Sequence, residues 1–423
     1  MLRAAALVLF LALPASGRAQ STPDFSAVTA LLQDSLAQFG GGEFLLRQHG
    51  ETLYRASFAG WDSTAAVPIA SASKWLSGTL VMSLVADGTL SLDDTVGDWL
   101  PDAPPNKRAI TVRQLFAHTS GLPPLDVGGC LDDRTTTLAA CAQAILDGPL
   151  RSPPGQAFRY GGLSMQVAGR IAEVAAGEPF GALFEARVAE PLGLTRTGFG
   201  AGDNPRVAGG AASTAGDYAR VLQMLADGGA TVLAPTAVDT MLADQTRGAE
   251  IVYSPYQQYG DPDLVATRYG VGVWRERVAD DGTLLEAASQ GALGFSPWLD
   301  RANGIVAVLA VQDDLPALYP TYLRLKALVR DALGVQTASE GAPPAGRRLA
   351  AWPNPARHRL TVEMPLDAGT ACLTDAVGRR VRCANVPPSG RLTFDVGTLA
   401  PGAYAVRATG GGQEASARVV VVR

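Results

Sequence analysis

The sequence predicts an α+β protein in which strands from both ends of one large domain form a sheet beside a helical region. Near the start of the chain, two strand-like runs at 44–48 and 52–58 flank a tight turn. Strand-like runs return at 269–277 and 304–311, and a helical segment at 318–333 follows them. Because the other helical segments lie between these two groups, the two ends are expected to form a sheet that packs against the helices.

Five helical segments are predicted between the strands, and the first of them follows an extended stretch. Residues 67–70 are expected to be extended, since the residue before Pro68 avoids the helical region. A helix is then predicted from Ser73 to Asp87, with Gly88 as its stop signal. The other four predicted helices span 111–117, 138–146, 164–176 and 215–227.

The two ends of the chain predict separate segments. A positive start, an apolar run of roughly ten residues and small residues near position 19 indicate a signal peptide over 1–19. The main domain is then expected over 24–335, and the composition of 336–348 is that of a linker. We expect an exported protein, secreted or on the cell surface, with no transmembrane segment in its mature form.

The C-terminal stretch, 349–423, reads as a small all-β sandwich. It contains nine Arg against five Asp or Glu, whereas the whole chain has a net charge of −5. Short strand-like runs alternate with turns, which is typical of such a module. The predicted strands span 359–363, 371–374, 391–396 and 403–408.

Four cysteines, which allow three pairings, fit an exported protein. Local pairing, Cys130 with Cys141 and Cys372 with Cys383, keeps each bond within one predicted domain. The second pair brackets 375–378 symmetrically, as a cross-strand bond beside a hairpin turn would. Two pairs of reduced, buried thiols are the alternative, which export makes the weaker one.

Composition argues against several classes of partner. The net charge of −5 and the pI near 5.4 argue against nucleic acid as the main partner. The three histidines are scattered and no metal-binding motif occurs, so no metal site and no cofactor are predicted. A small-molecule substrate is the expected partner of the main domain.

Ser71 and Lys74 form the strongest candidate for chemistry. A serine at the mouth of a helix, with lysine three residues on, places both side chains on one face. Only three residues of the chain are lysine, and unlike arginine a lysine can lose its proton in a protein. Lys74 could therefore activate the Ser71 hydroxyl, while the Ser71 N–H binds an oxyanion. A helix cap followed by an exposed lysine is the simpler interpretation of these two residues alone.

With these residues in place, the chain resembles the serine β-lactamase and penicillin-binding-protein superfamily, in its branch of class C β-lactamases, D-alanyl-D-alanine carboxypeptidases and related esterases. The resemblance implies that superfamily's antiparallel sheet and helical region, and an acyl-enzyme on Ser71. It runs roughly from Gly50 to Leu333. The motifs that carry it are Ile69-Ala70-Ser71-Ala72-Ser73-Lys74, Leu115-Phe116-Ala117-His118-Thr119-Ser120-Gly121-Leu122, Glu190-Pro191-Leu192-Gly193-Leu194 and Gly209-Gly210-Ala211-Ala212-Ser213-Thr214-Ala215.

The second motif of the superfamily, Tyr-x-Asn, is half retained. Tyr160 stands in the tyrosine place, and the resemblance implies that it exchanges a proton during acylation. Gly162 replaces the asparagine.

The third motif, Lys-Thr-Gly or His-x-Gly on a strand, is matched by Ser289, Gln290, Gly291 and Ala292. The resemblance implies that these four residues and Gly162 line the substrate site. Gly291 would keep the strand open to substrate, and the Ala292 N–H would be the second oxyanion donor. No cation stands in the Lys or His place.

These two departures remove the groups that hold a β-lactam's carboxylate and amide. We therefore expect a hydrolase of esters, amides or D-amino-acid peptides rather than a proficient β-lactamase. The alternative is a non-catalytic protein that keeps the fold and binds penicillin or peptidoglycan.

Two further features have competing interpretations. His118 with Asp93 or Asp94 could suggest a Ser-His-Asp triad, but the resemblance gives His118 a structural role in a turn. The tyrosine-rich segment 251–268 is equally compatible with a substrate cleft and with an irregular surface loop.

The C-terminal stretch resembles a type IX secretion sorting domain. The matching motifs are Trp352-Pro353-Asn354-Pro355-Ala356, Leu373-Thr374-Asp375-Ala376-Val377-Gly378-Arg379 and Leu399-Ala400-Pro401-Gly402-Ala403-Tyr404. The resemblance implies the secretion machinery as a partner and export across the outer membrane. A carbohydrate- or wall-binding module is the alternative.

Overall fold

A computed structural model describes most of the chain. The described residues are 23–125, 129–133, 135–259, 265–279, 281–335, 350–352, 356–363, 369–374, 380–387, 389–400, 402–410 and 413–421. The predicted signal peptide, 1–19, and the predicted linker, 336–348, lie outside the described residues. Within the described residues, no helix has the length and apolar character needed to cross a membrane.

An antiparallel sheet of seven strands forms the centre of the main domain, in the order β2-β1-β11-β10-β9-β8-β7. Its first strand pairs with its last along the chain, so that Leu45 lies opposite Val308. The predicted meeting of the two ends is therefore confirmed. The strands are β1 (Gly42–Gln48), β2 (Glu51–Phe58), β7 (Arg268–Tyr269), β8 (Trp274–Val278), β9 (Leu284–Ala288), β10 (Ser296–Asp300) and β11 (Ile305–Ala310).

The prediction of one strand over 269–277 is wrong. The chain turns back between β7 and β8, and these two strands pair with each other antiparallel. Two glycines in the turn explain it, because a Cβ on Gly270 would lie 2.2 Å from the Met241 carbonyl oxygen. A Cβ on Gly272 would lie 2.1 Å from the backbone oxygen of Lys74. The turn thus packs directly on the helix that carries Lys74.

Helices cover both faces of the sheet. Side chains of β1 alternate: Leu45 enters one hydrophobic core with the helical region, whereas Phe44 and Leu46 enter a second core with the first and the last helix. The helices are α1 (Ser26–Leu36), α2 (Ser73–Ala86), α3 (Val96–Trp99), α4 (Val112–Phe116), α5 (Leu138–Asp147), α6 (Leu163–Ala176), α7 (Phe180–Phe184), α8 (Glu190–Leu192), α9 (Ala215–Ala226), α10 (Pro235–Leu242) and α11 (Leu315–Leu333).

Helix α2 passes through the interior of the domain. Every residue from Ser73 to Leu84 is buried, so this helix has no solvent-facing stripe. The backbone of α2 lies against the β7–β8 turn, where a Cβ on Gly78 would come within 2.4 Å of the Val271 oxygen. Such enclosure fixes the start of α2, where Ser71 and Lys74 lie.

Short two-stranded pairings connect the loops around the helices. Strand β3 (Val67–Pro68) pairs antiparallel with β5 (Ala212–Ser213). Strand β4 (Ala157–Arg159) pairs parallel with β6 (Glu250–Tyr253). The second pairing brings the residue after β4, Tyr160, beside Tyr253.

The C-terminal stretch forms one sheet of three strands, β12-β13-β16, and one of four, β15-β14-β17-β18. Leu360, Val362, Leu373 and Val406 are buried in a common core. The four predicted strands are present, with three more beside them. The strands are β12 (Ala350–Trp352), β13 (Arg359–Glu363), β14 (Gly369–Thr374), β15 (Arg380–Val386), β16 (Arg391–Asp395), β17 (Gly402–Gly410) and β18 (Gln413–Val421).

Both local disulfides are present. Cys130 bonds to Cys141, with their Cα atoms 5.3 Å apart. Cys372 bonds to Cys383, and these two residues face each other across β14 and β15. The predicted cross-strand position of the second bond is therefore confirmed, although the turn residues 375–379 lie outside the described residues.

Candidate active site

Ser71 lies in a single 3₁₀ turn, Ala70–Ala72, that runs directly into α2. The residue before it, Ala70, has a left-handed φ of 43°, which a residue with a Cβ adopts only at a cost. The strain is held by the β3–β5 pairing, where the Ile69 N–H donates to the Ala211 oxygen at 3.0 Å. A sharp change from extended chain to helix therefore presents Ser71 at the helix mouth, as the sequence predicts.

Lys74 is buried and points at Ser71. Its Nζ lies 3.0 Å from Ser71 Oγ and donates to the Ala208 carbonyl oxygen at 2.8 Å. Burial, with a smaller contribution from the positive charge of Arg206, lowers the pKa of Lys74 to about 7. A substantial fraction of Lys74 is consequently neutral near pH 7, which allows it to accept the Ser71 proton.

Tyr160 completes this side of the site. Its ring centre lies 4.7 Å from Lys74 Nζ, and its ring stacks on Trp274 at 5.0 Å. Burial raises the pKa of Tyr160 to about 12, although hydrogen bonds with Ser71 and Trp274 act in the opposite direction. The phenol thus stays protonated at neutral pH, where it can donate a proton while Lys74 accepts one.

The segment 289–292 faces Ser71 from the end of β9. The Ser289 hydroxyl donates to the Ser71 carbonyl oxygen at 3.1 Å. A Cβ on Gly291 would lie 2.2 Å from the Ile69 oxygen, so only glycine allows the two chains to approach this closely. Within the described residues, the Ala292 N–H donates to no protein acceptor, which leaves it free for an oxyanion.

Two expectations for this segment need correction. It does not lie on a strand: β9 ends at Ala288, and the chain then turns, with the Gly291 N–H donating to the Phe295 oxygen at 2.8 Å. The space that Gly291 provides is occupied by the backbone at Ile69 rather than left open to substrate.

The side chain of Gln290 turns away from Ser71. It is buried, and its Nε2 donates to Glu276 Oε1 at 2.7 Å. Its Oε1 accepts a hydrogen bond from the Tyr256 hydroxyl at 3.0 Å. With its amide engaged on the far side of the segment, the Gln290 side chain is not a substrate contact.

Gly162 is the N-cap residue of α6, and an apolar side chain lies beside it. A Cβ on Gly162 would lie 3.2 Å from Cδ1 of Leu131. Leu131 follows Cys130, which forms the disulfide with Cys141. The Cys130 carbonyl oxygen also accepts a hydrogen bond from Asn204 Nδ2 at 2.6 Å, and the two interactions together fix the loop. The apolar side chain of Leu131 therefore lies beside Gly162, at the position where the superfamily carries the amide of an asparagine.

The groups of a Ser-His-Asp triad are not assembled here. His118 is buried, and its ring packs against Tyr160 and Tyr269 at 4.7 and 4.8 Å. Burial, together with the charge of Lys74, holds the pKa of His118 well below its usual range, so the ring is neutral. Asp93 pairs instead with Arg113, at 3.0 Å. His118 thus has a packing role beside Tyr160.

The tyrosine-rich segment 251–268 packs beside Tyr160, and its residues 260–264 lie outside the described residues. The Tyr253 side chain is 36% exposed, and its backbone oxygen accepts a hydrogen bond from the Tyr160 N–H at 3.0 Å. Tyr256 is buried, and Tyr259 stacks on Tyr319 at 4.1 Å. Within the described residues, no cluster of His, Cys, Asp or Glu could hold a metal ion.

Sequence reasoning did not find four contributors to the site. The Ala208 oxygen acts through the backbone, which leaves no residue-type signal. Arg206, Leu131 and Trp274 reach the site from distant parts of the chain. The proximity of Ala208 to the Gly209–Ala215 motif was the one available signal.

The family model described as Beta-lactamase matches residues 28–330. The chain belongs to the beta-lactamase family. A second model, described as Secretion system C-terminal sorting domain, matches residues 350–422. The resemblances seen in the sequence are therefore confirmed for both parts of the chain.

Similar proteins include both esterases and penicillin-binding proteins. The chain is 31% identical to Esterase EstB of Burkholderia gladioli over 193 residues, 40% of this chain and 49% of EstB. It is 36% identical to Penicillin-binding protein 4 of Amycolatopsis lactamdurans over 132 residues, 29% of this chain and 33% of that protein. The chain thus spans about half or less of the length of these curated relatives.

Solved structures match the main domain over nearly their full length. A Bacteroides dorei protein, described as a beta-lactamase candidate, is 30% identical with a TM-score of 0.65, covering 72% of this chain and 99% of that chain. EstCE1, described as a hydrolase with promiscuous acyltransferase activity, is 21% identical with a TM-score of 0.59, covering 72% and 97%. At that identity, the second match supports the fold alone.

Proposed function

We propose that this protein is an exported serine hydrolase that forms an acyl-enzyme on Ser71 and acts on uncharged esters or amides. The observation that carries the proposal is the contact between Ser71 Oγ and a buried Lys74 whose pKa is about 7. A serine hydroxyl needs an adjacent base to become a nucleophile, and this lysine supplies one at neutral pH.

In the proposed acylation, Ser71 Oγ attacks the substrate carbonyl carbon and its proton passes to neutral Lys74 Nζ. The N–H groups of Ser71 and Ala292 stabilise the tetrahedral oxyanion. Tyr160 then donates a proton to the leaving group as the bond to that group breaks, and it is reprotonated from Lys74. Water hydrolyses the resulting ester on Ser71 with the same groups in reverse.

Two features support an uncharged substrate. The positions that would hold a carboxylate and an amide carry Ser289 and Gly162, and the Ser289 hydroxyl is already engaged with the Ser71 oxygen. Exposed large apolar side chains occur beside three loops of the site: Leu125, Tyr253 and Leu293. One relative, EstB, is described as an esterase, which supports an ester as the substrate.

The test compares two substrates on the purified protein. We expect a larger kcat/KM for a short-chain aryl ester than for a chromogenic cephalosporin, since only the latter needs carboxylate recognition. The opposite ranking would contradict the proposed specificity. A folded protein that is acylated by neither would favour the alternative, a non-catalytic binding protein.

The same proposal includes the route of export. The C-terminal sorting domain supports delivery to the cell surface or medium, with 1–19 as signal peptide, 336–348 as linker and 349–423 as the domain read by the secretion machinery. Deleting 349–423 should retain the hydrolase inside the outer membrane. Secretion of the truncated chain at the normal level would contradict this route.

A further inference from the structure

The Gln290 side chain connects the oxyanion side of the site to a buried group of charges. Its Nε2 donates to Glu276 on β8 at 2.7 Å and lies 3.3 Å from the Tyr322 hydroxyl on α11. The two neighbours of Gln290, Ser289 and Gly291, both contact the backbone beside the nucleophile. One amide therefore joins the active-site segment to the layer behind it.

The charge group behind Gln290 contains two acids and three bases: Glu276, Glu286, Arg277, Lys326 and Arg330. Lys326 contacts Glu276 and lies 2.5 Å from Glu286, which Arg330 approaches to 2.6 Å. Burial alone would raise the pKa of Glu286, but the charges of Lys326 and Arg330 hold it at about 2. Glu286 thus remains ionised, and Glu276, in contact with Lys326, is held in place as the hydrogen-bond acceptor for Gln290.

The amide oxygen of Gln290 connects the same side chain to the side of the site where Tyr160 lies. The Tyr256 hydroxyl donates to Gln290 Oε1 at 3.0 Å, and the Tyr256 ring packs on Trp274 at 4.6 Å. Trp274 in turn stacks on Tyr160 at 5.0 Å. Gln290 is accordingly placed between the segment that carries Ala292 and the stack that carries Tyr160.

Stability alone gives a poor reason for this arrangement. Buried ion pairs often add little net stability compared with apolar residues of the same size. A fully satisfied polar network does fix its members in one geometry. Catalysis needs such a fixed geometry, because an oxyanion donor displaced by about 1 Å loses most of its effect.

The geometry points to Gln290 as a positioning residue that holds the 289–292 segment, and hence the Ala292 N–H, in register with Ser71. This inference rests on the proposed serine hydrolase function. Gln290 acts from behind the segment and touches no substrate, and Glu276, held by Lys326, is its anchor.

The test substitutes Gln290 with leucine and measures turnover per serine that can be acylated, counted by a p-nitrophenyl acetate burst. The Gln290→Leu variant should lose kcat by about tenfold to a hundredfold with little change in KM, because the oxyanion forms only in the transition state. Its inhibition constant for phenylboronic acid, which forms a tetrahedral adduct on the serine, should rise by a similar factor. A merely structural role would leave both quantities unchanged per titrated site.

Two further variants keep the test decisive. Tyr256→Phe removes one hydrogen bond to Gln290 and keeps the ring on Trp274, so it should show the same pattern with a smaller loss even if Gln290→Leu does not fold. Glu43→Gln removes the charge of another buried acid of the same sheet, which pairs with the half-exposed Arg55 at 2.7 Å, and it should leave kcat per site unchanged.

The outcomes separate the two proposals. A folded wild-type protein that shows neither a burst nor turnover of the ester would overturn the hydrolase function, and the positioning role with it. A normal wild-type burst with unaltered kcat and boronate affinity in Gln290→Leu and Tyr256→Phe would overturn the positioning role alone. Equal losses in Glu43→Gln would also overturn it, since the effect would then be one of general stability.

Discussion

The two sides of the candidate active site differ in how much of the family pattern they keep. The acylating side, formed by Ser71, Lys74 and Tyr160, has the complete set of reactive groups in contact. The recognition side has Gly162 and Ser289 where relatives of the superfamily carry an amide and a cation. In the proposed function, reactivity and substrate recognition are therefore carried by separate residues, so that the second could change while the first stays intact.

The physical demands on the two sides explain this separation. The acylating side requires a lysine whose pKa is near neutrality, and deep burial in α2 achieves this. Recognition requires only one or two side chains that match the substrate. Replacing Ser289 or Gly162 leaves α2 in place, whereas moving Lys74 would disturb a helix that is buried from Ser73 to Leu84.

The largest expected effect comes from breaking the acylating side. Lys74→Arg keeps the positive charge but removes the base, so acylation should fall by about a thousandfold or more. The measurement is the rate of p-nitrophenol release in a stopped-flow burst. The same change at the buried Lys107, Lys107→Arg, serves as control and should leave the burst intact. Retained acylation in Lys74→Arg would place the base on Tyr160.

The pH dependence sharpens the same assignment. Because Lys74 must be neutral and its pKa is about 7, kcat/KM for an uncharged ester should fall tenfold per unit as the pH drops below about 7. Arg206→Gln removes a repulsive charge, so it should raise the pKa of Lys74 and move this limb to higher pH. Arg220→Gln, at a similarly exposed arginine, should not move it. An unchanged acidic limb of the pH profile in Arg206→Gln would show that the charge of Arg206 does not lower the pKa of Lys74.

A change on the recognition side should alter selectivity rather than reactivity. Ser289→Lys restores a cation where the superfamily has one, and the ratio of penicillin to ester acylation rates should rise by about tenfold. Ser289→Met, of similar length without charge, should not raise that ratio. An unchanged ratio in Ser289→Lys would show that the missing cation does not limit β-lactam recognition.

The smallest effect is expected at the apolar rim. Leu293→Ser should lower kcat/KM for a hexanoate ester about threefold to tenfold relative to the acetate ester, as expected for the loss of one partly buried apolar contact. Leu323→Ser is the matched control, since the two leucines are 41% and 44% exposed and Leu323 lies on α11, away from the 289–292 segment. An equal decrease in both variants would show that Leu293 does not contribute to binding of the acyl chain.

The main elements of the fold and the proximity of Ser71 and Lys74 could be predicted from the sequence because their signals are local. The Ser71 to Lys74 spacing sets one helical turn, and Pro68 sets the extended entry to it. Strands β1 and β2 could also be predicted, because two strand-like runs flank a tight turn. The β7–β8 turn was missed because two glycines within a strand-like run require it only through contact with Met241 and Lys74.

What could not be predicted depends on contacts between distant residues. The orientation of Gln290 follows from Glu276 and Tyr256, which reach it from other elements. Leu131 fills the space beside Gly162 only because a disulfide fixes its loop. The backbone carbonyl oxygen of Ala208 accepts a hydrogen bond from Lys74, so the residue type at position 208 does not indicate this contact.

The central claim is that Ser71 is a nucleophile that Lys74 activates. The most direct measurement is labelling of the folded protein with a fluorophosphonate, followed by mass spectrometry of the digested chain. We predict one adduct, on Ser71, that forms faster as the pH rises through about 7 and is absent from Ser71→Ala. An adduct on another serine, or none on the folded wild-type protein, would contradict the account.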